Sequence, residues 1–201
     1  MPVADVLARI NEIRQLAATS RAPLGEPSPA EFQAHLSRVL EPGGVYSPAG
    51  VALNQGTAGL RALSAAAAEI GVAEEQPGSN DSARIAAYRT AVEGSAPGVP
   101  WCAYFVSWAA AQAGVPIGEE GQGYGAVEQV HDWAARTGRL LPAGTTPQPG
   151  DLILFGGEHI GIVESVGPGG ALTTVEGNHQ DRVARVQRST GEATGFVRLA
   201  P

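Results

Sequence analysis

The only cysteine of the chain, Cys102, lies in the run PWCAYFVSWAAAQAGVP, residues 100–116. This run is apolar almost throughout, and Gly114 supplies a stop signal, so we expect a buried helix that begins near Cys102. A thiol at a helix N-terminus lies at the positive end of the helix dipole, which favours the nucleophilic thiolate. The alternative interpretation of a lone cysteine is a small hydrophobe in a core helix.

Three polar residues further along the chain could complete a nucleophilic site around Cys102. His159 begins the apolar run HIGIVESV, and Glu176 and Asn178 lie in the run ALTTVEGN. An imidazole could take the thiol proton, and a carboxylate or an amide could then orient the ring. Side chains alternate along a strand, so Glu176 and Asn178 share one face. We favour Glu176 as the direct partner of His159 because a carboxylate stabilises an imidazolium better than a neutral amide does. Each residue also has a plain structural interpretation, as a strand or turn residue.

Such a site also needs groups that bind the substrate. The backbone N–H of Cys102 would form part of the oxyanion hole, and Tyr88 or Asn80 could supply the second donor. We expect Trp101, beside the cysteine, and Tyr88 to contact the substrate.

The elements that must position these residues change character along the chain. Up to Gly138 the apolar residues recur at helical spacing, and Asn80 or Asp81 is expected to cap one of the helices. Beyond Gly138 the apolar residues alternate, and short strands are expected over residues 149–155, 159–166, 171–178, 182–188 and 195–199. Helices followed by strands at hairpin distance indicate an α+β fold, with helices packed on an antiparallel sheet of about five strands.

The N-terminal part of the chain is expected to be separate from this domain. Two amphipathic helices are predicted within residues 1–40, followed by a linker rich in Gly and Pro over residues 41–56. We therefore divide the chain into a helical extension, 1–56, and a catalytic domain, 57–201. The two helices could pair, dock on the domain or bind a protein partner.

Charge and composition exclude several classes of protein. The formal net charge of −7 over 201 residues argues against a nucleic-acid-binding protein. We expect no membrane span, because no apolar stretch is long enough, and one cysteine cannot form an intramolecular disulfide. The first residues lack the basic start and apolar core of a signal peptide, which leaves the export route open.

From about Ala58 to Leu199 the chain resembles the CHAP family of cysteine amidohydrolases and peptidases, close relatives of the NlpC/P60 cell-wall peptidases. The resemblance rests on four segments in the same order: PWCAYFVSWAAAQAG, PQPGDLILF, EHIGIVESV and TTVEGN. It implies a papain-like fold, cleavage of an amide bond in bacterial peptidoglycan at the cell wall, and catalytic roles for Cys102, His159, Glu176 and Asn178.

The sequence also departs from the family pattern. Some CHAP enzymes carry an Asp-rich calcium loop before the cysteine, whereas SAPGVPW precedes it here, so we expect no metal and no cofactor. Either a stem-peptide endopeptidase or a muramoyl-alanine amidase fits the resemblance. The alternatives are a cysteine protease with a substrate outside the wall, and a non-catalytic module for wall binding or appendage assembly.

Overall fold

The computed structural model describes residues 57–199. The extension and linker predicted for residues 1–56, and the domain boundary drawn after them, lie outside the described residues and stay predictions. Within residues 57–199, four helices precede six strands, which confirms the α+β class. The elements are α1 (Ala58–Ala67), α2 (Ala83–Arg89), α3 (Cys102–Gln112), α4 (Val127–Arg136), β1 (Leu140–Pro142), β2 (Leu152–Phe155), β3 (His159–Val166), β4 (Ala171–His179), β5 (Arg182–Ser189) and β6 (Gly195–Val197).

The strands form one sheet in the order β1-β6-β2-β3-β4-β5, and every neighbouring pair is antiparallel. The antiparallel sheet is confirmed, and it has six strands where about five were expected, the additional strand being β1. This strand pairs with β6, from Leu140 opposite Val197 to Pro142 opposite Gly195. Proline has no N–H for the ladder and so belongs at an edge, and three residues are too short to show an alternating pattern.

Helix α3 lies at the centre of the domain. Its first nine residues, Cys102 to Ala110, are all buried, as expected for a helix that is apolar on every side. It packs against α1, α2, β3 and β4. The contact with β4 depends on Gly177, where a Cβ atom would lie 2.6 Å from Cβ of Phe105. Within residues 57–199 no helix combines the length and the apolar character needed to cross a bilayer.

The sheet buries apolar side chains on both faces. Leu152 and Leu154 belong to the main core with the helices, whereas Ile153 between them belongs to a second cluster with Phe196. Because side chains alternate along a strand, the two clusters lie on opposite faces. Phe155 packs on the second cluster and stands opposite the first residue of β3.

Helix α2 begins later than the sequence indicated. Ser82, and not Asn80 or Asp81, is the cap, and its hydroxyl accepts a hydrogen bond from the N–H of Ile85 at 3.2 Å. Asn80 instead has a left-handed backbone, with φ of 53°, and its N–H donates to Oε2 of Glu74 at 2.8 Å. Its side chain is therefore free to contact a different part of the domain.

Candidate active site

Cys102 is the first residue of α3, and it lies beside the start of β3. Trp101 is the N-cap residue of α3, but its side chain makes no capping hydrogen bond with the first turn. The thiol is 4.0 Å from the carbonyl oxygen of Glu158, and it lies close enough to the side chain of His159 to interact with the ring electrostatically. The cysteine at the helix terminus and the histidine at the strand terminus are thus brought into contact.

His159 has a partner on each side of its ring. Nε2 lies 2.8 Å from Oε2 of Glu176, which leaves Nδ1 for the thiol of Cys102. Burial lowers the pKa of His159, but the hydrogen bonds with Cys102 and Glu176 and the charges of both groups outweigh it and raise the pKa to about 9. The ring therefore holds its proton at neutral pH.

Glu176 is completely buried, and its carboxylate accepts four hydrogen bonds. Oε1 accepts from the hydroxyl of Thr174 at 2.6 Å and from Nε of Arg188 at 2.8 Å. Oε2 accepts from Nη2 of Arg188 at 2.8 Å and from His159. Burial raises the pKa of Glu176, but the hydrogen bonds from Arg188, His159 and Thr174 outweigh it and lower the pKa to about 2. The carboxylate is thus ionised and fixed in orientation.

Gly161 makes room for this carboxylate. A Cβ atom at Gly161 would lie 2.7 Å from Cγ of Glu176, closer than such atoms approach without displacement. The glycine of the HIGIV run therefore lets the glutamate lie across β3 and reach His159. Sequence reasoning missed this role, although a glycine inside a strand often signals a close approach.

Asn178 makes no hydrogen bond with the ring of His159. Its backbone is left-handed, with φ of 59°, at an irregularity in the pairing of β4 with β5 between Glu176 and His179. Its Nδ2 donates to Oδ1 of Asn80 at 3.3 Å. The alternation that was expected to place Asn178 and Glu176 on one face ends at this point.

Two predicted substrate-binding residues lie in the core, which corrects the expectation for both. Tyr88 and Trp101 are each 0% exposed, within an aromatic cluster that includes Phe105. The hydroxyl of Tyr88 donates to Glu69 at 2.7 Å, and the indole N–H of Trp101 donates to Glu74 at 3.0 Å. Large aromatic side chains next to an apolar helix are most stable in the core, with their polar atoms paired.

A groove of about 500 Å³ runs along one side of the thiol. Cys102 and Tyr104 form part of its wall. Glu93, Glu128 and Glu158 also line it, and all three are exposed to solvent. We call this the acidic groove.

A second groove, of about 480 Å³, adjoins the histidine. It is lined by Phe155, His159, Asn178 and Arg188, among others. Since Glu158 lines both grooves, the Cys102–His159 pair lies between two spaces that could each hold part of a substrate.

Among residues 57–199, one group of side chains has the spacing of metal ligands. His159, Glu176 and His179 each offer a ligand atom, and these atoms lie within 4.8 Å of one another. However, both carboxylate oxygens already accept hydrogen bonds from Arg188, and a metal cation would have to displace that like-charged side chain. The donor set fits the ion pair better than a metal, and the absence of a metal stays a prediction.

The family model of the CHAP domain matches residues 94–178. The CHAP resemblance is confirmed for this segment. The CHAP segment covers less than half of the chain, but it begins just before Cys102, ends at Asn178 and includes His159 and Glu176. No curated protein matches the chain.

Three solved structures are similar to this chain. The peptidoglycan hydrolase RipB from Mycobacterium tuberculosis is 20% identical, with a TM-score of 0.47 over 85% of this chain and 78% of its own. A mutated form of RipA, a protein that interacts with resuscitation promoting factor, is 19% identical, with a TM-score of 0.43 over 84% and 78%. The structure of Ly7917 is 16% identical, with a TM-score of 0.35 over 71% and 62%.

Proposed function

We propose that this protein is a cysteine-dependent hydrolase that cleaves an amide bond in peptidoglycan. The observation that carries the proposal is the contact of Cys102, at the start of a helix, with His159, whose other nitrogen is bound to the buried Glu176. The match of residues 94–178 to the CHAP domain supports the choice of substrate. We accordingly place the activity at the bacterial cell wall.

The first chemical step would be attack of the Cys102 thiolate on the scissile carbonyl carbon. A C–S bond forms, and the carbonyl π electrons move to the oxygen. The N–H of Cys102, at the helix N-terminus, would stabilise this oxyanion. Of the two candidates for a second donor, Tyr88 is buried with its hydroxyl bound to Glu69, so we retain Asn80, next to Asn178, in that role.

The second step would be proton transfer from His159. Because the ring holds its proton at neutral pH, it can donate that proton to the leaving nitrogen as the C–N bond breaks and a thioester forms. The neutral ring then activates a water molecule, which cleaves the thioester and restores the thiolate and the imidazolium. Glu176 would stabilise the cationic ring and fix its orientation throughout.

The two grooves would hold the substrate on either side of the scissile bond. The three glutamates of the acidic groove favour a cationic group, such as the free amine of a stem peptide, on that side. A stem-peptide endopeptidase and a muramoyl-alanine amidase differ in which part of the peptidoglycan occupies each groove.

Zymography on purified cell walls tests the proposal. We expect cleared bands with the wild-type protein and none with Cys102→Ala or His159→Ala, a loss of roughly 10⁴-fold or more. Iodoacetamide should abolish clearing, because Cys102 is the only thiol. Mass analysis of the released fragments identifies the bond that is cleaved.

Other outcomes of the same assay identify the alternatives. Binding to walls without cleavage would indicate a non-catalytic module. Cleavage of protein but not of walls would indicate a cysteine protease. Clearing that persists after complete alkylation would contradict the cysteine mechanism.

A further inference from the structure

Arg188, on β5, is a residue of the site that the chemistry above does not use. Its guanidinium forms a two-pronged contact with Glu176, from Nε to Oε1 and from Nη2 to Oε2, both at 2.8 Å. A carboxylate offers about four acceptor positions, and Arg188 fills half of those on Glu176. Thr174 and His159 fill the other two, so the orientation of the carboxylate toward the ring depends on all three partners.

Arg188 is itself held in place on two further sides. Its Nη1 lies 3.3 Å from Oε2 of Glu192, whose other oxygen accepts the N–H of Ser189 at 2.7 Å. The guanidinium also lies over the ring of Phe155, 4.5 Å from the ring centre. That ring in turn stacks on the imidazole of His159, with 5.8 Å between ring centres. Phe155 thus links the two cationic side chains that bind Glu176.

We propose that Arg188 is a positioning residue that keeps the buried Glu176 ionised and directs its carboxylate at His159. The part of this inference that concerns catalysis rests on the proposed function, whereas the charge and orientation of Glu176 do not. Burial penalises the charged form of a carboxylate, and a guanidinium fork offsets that penalty while fixing geometry.

The charged and titratable groups around Glu176 come from three strands. His159 faces it from β3, His179 lies 3.4 Å away on β4 itself, and Arg188 faces it from β5, with Glu192 behind. A guanidinium keeps its proton over the whole accessible pH range, so Arg188 is the one permanent positive charge among these groups. Its removal should therefore allow Glu176 to take up a proton at a higher pH.

The domain offers a matched control in Arg198. This side chain forms the same two-pronged contact with Asp151, at 3.1 and 2.9 Å, outside the Cys102–His159 site. Arg188→Gln and Arg198→Gln each remove one cation from a buried carboxylate. Arg188→Lys retains the positive charge but cannot form the two-pronged contact.

Carbon-13 NMR of the glutamate carboxyl groups in the full-length protein measures the first part of the proposal. We expect the titration midpoint of Glu176 to rise by about one pH unit or more in Arg188→Gln and to stay unchanged in Arg198→Gln. Arg188→Lys should restore most of the wild-type midpoint. An unchanged Glu176 midpoint in Arg188→Gln, with the fold intact by circular dichroism, would overturn the proposal.

Kinetics with a soluble muropeptide measure the second part. Both Arg188 variants should lose up to about 100-fold in kcat with little change in KM, because the side chain orients Glu176 and not the substrate. In Arg188→Gln the acid limb of the kcat profile should also move to higher pH. Equal losses in Arg188→Gln and Arg198→Gln would mean a merely structural role. A wild-type protein without Cys102-dependent cleavage would contradict the proposed function, while the NMR titration would still decide the role of Arg188.

Discussion

Two buried carboxylates, Glu176 on β4 and Asp151 just before β2, are each bound by two parallel N–H donors of one arginine, an arrangement that we call a fork, yet their surroundings differ. Glu176 is 0% exposed and Asp151 is 4% exposed, and their partners are Arg188 and Arg198. The further donor to Asp151 is the N–H of Gln148, at 2.8 Å, which closes the turn before β2. The further donors to Glu176 include the ring of His159, which can gain and lose a proton.

The chemical role of each ion pair depends on the further group that binds the carboxylate beside the arginine. A backbone N–H cannot titrate, so the Asp151 fork can only hold the turn and the strand together. An imidazole can titrate, so the Glu176 fork sets the protonation of a group that contacts the thiol of Cys102.

The largest difference is expected between Glu176→Gln and Asp151→Asn. Glu176→Gln removes the charge that stabilises the imidazolium, and we expect kcat to fall by up to about 10⁴-fold, as in the analogous triad change of a serine protease. Asp151→Asn should leave kcat within about threefold of wild type and lower the free energy of unfolding by about 2 kcal/mol. Cleavage of a soluble muropeptide and urea unfolding measure the two quantities. Comparable kcat values for the two variants would remove the distinction between the forks.

The second difference concerns the glycine beside each carboxylate. Gly161→Ala would place a methyl group against Cγ of Glu176, so we expect kcat to fall by about 100-fold. Gly150→Ala would place a methyl group against the backbone carbonyl carbon of Gly59, at a φ of 91°. This change should cost about 2 kcal/mol or more of unfolding free energy and leave kcat nearly unchanged.

Circular dichroism melts and kinetics on both glycine variants check this pair. A fully active Gly161→Ala protein would show that Glu176 can move without harm to the site.

The third difference is in the pH dependence of activity. Since the pKa of His159 is raised to about 9, kcat/KM should fall above that pH, where the ring can no longer protonate the leaving nitrogen. In Glu176→Gln this fall in kcat/KM should begin about one pH unit lower, because a hydrogen bond and a charge that raise the pKa of His159 are lost. In Asp151→Asn it should not move. The kcat/KM profiles of the three proteins between pH 6 and pH 10 measure this, and identical limbs would contradict it.

The same pKa values predict how stability depends on pH. The pKa of His159 is raised from 6.5 to about 9, so its contribution to stability is full below 6.5 and is lost as the pH rises through 9. The pKa of Glu176 is lowered from 4.5 to about 2, so its contribution is present above 4.5 and is lost as the pH falls through 2. Urea unfolding at several pH values should show that the unfolding free energy of Glu176→Gln depends less on pH than that of the wild type, both below pH 4.5 and above pH 6.5.

The smallest effect is expected for Asn178→Ala. Asn178 contacts Asn80 and not the ring of His159, so we expect a loss of about tenfold or less in kcat/KM, well below that of Glu176→Gln. The left-handed backbone at Asn178 suggests Asn178→Gly as a companion that removes the side chain without backbone strain. A loss as large as that of Glu176→Gln would assign a direct catalytic role to Asn178.

The sequence by itself determined the class of fold and the principal candidates for the site. The almost wholly apolar run after Cys102 predicted a buried helix, and the alternation after Gly138 predicted five of the six strands, because these patterns follow from local geometry and burial alone. Residue chemistry and chain order then singled out Cys102, His159 and Glu176.

The tertiary structure decided which polar groups meet. Asn178 lies two residues from Glu176 but turns toward Asn80, since the pairing of β4 with β5 becomes irregular between them. Arg188 reaches Glu176 only because those strands form a hairpin in one register, and Gly161 admits the carboxylate only because β3 lies beside β4. Contacts between residues far apart in the chain depend on register and close packing, and no local pattern of residue types encodes either one.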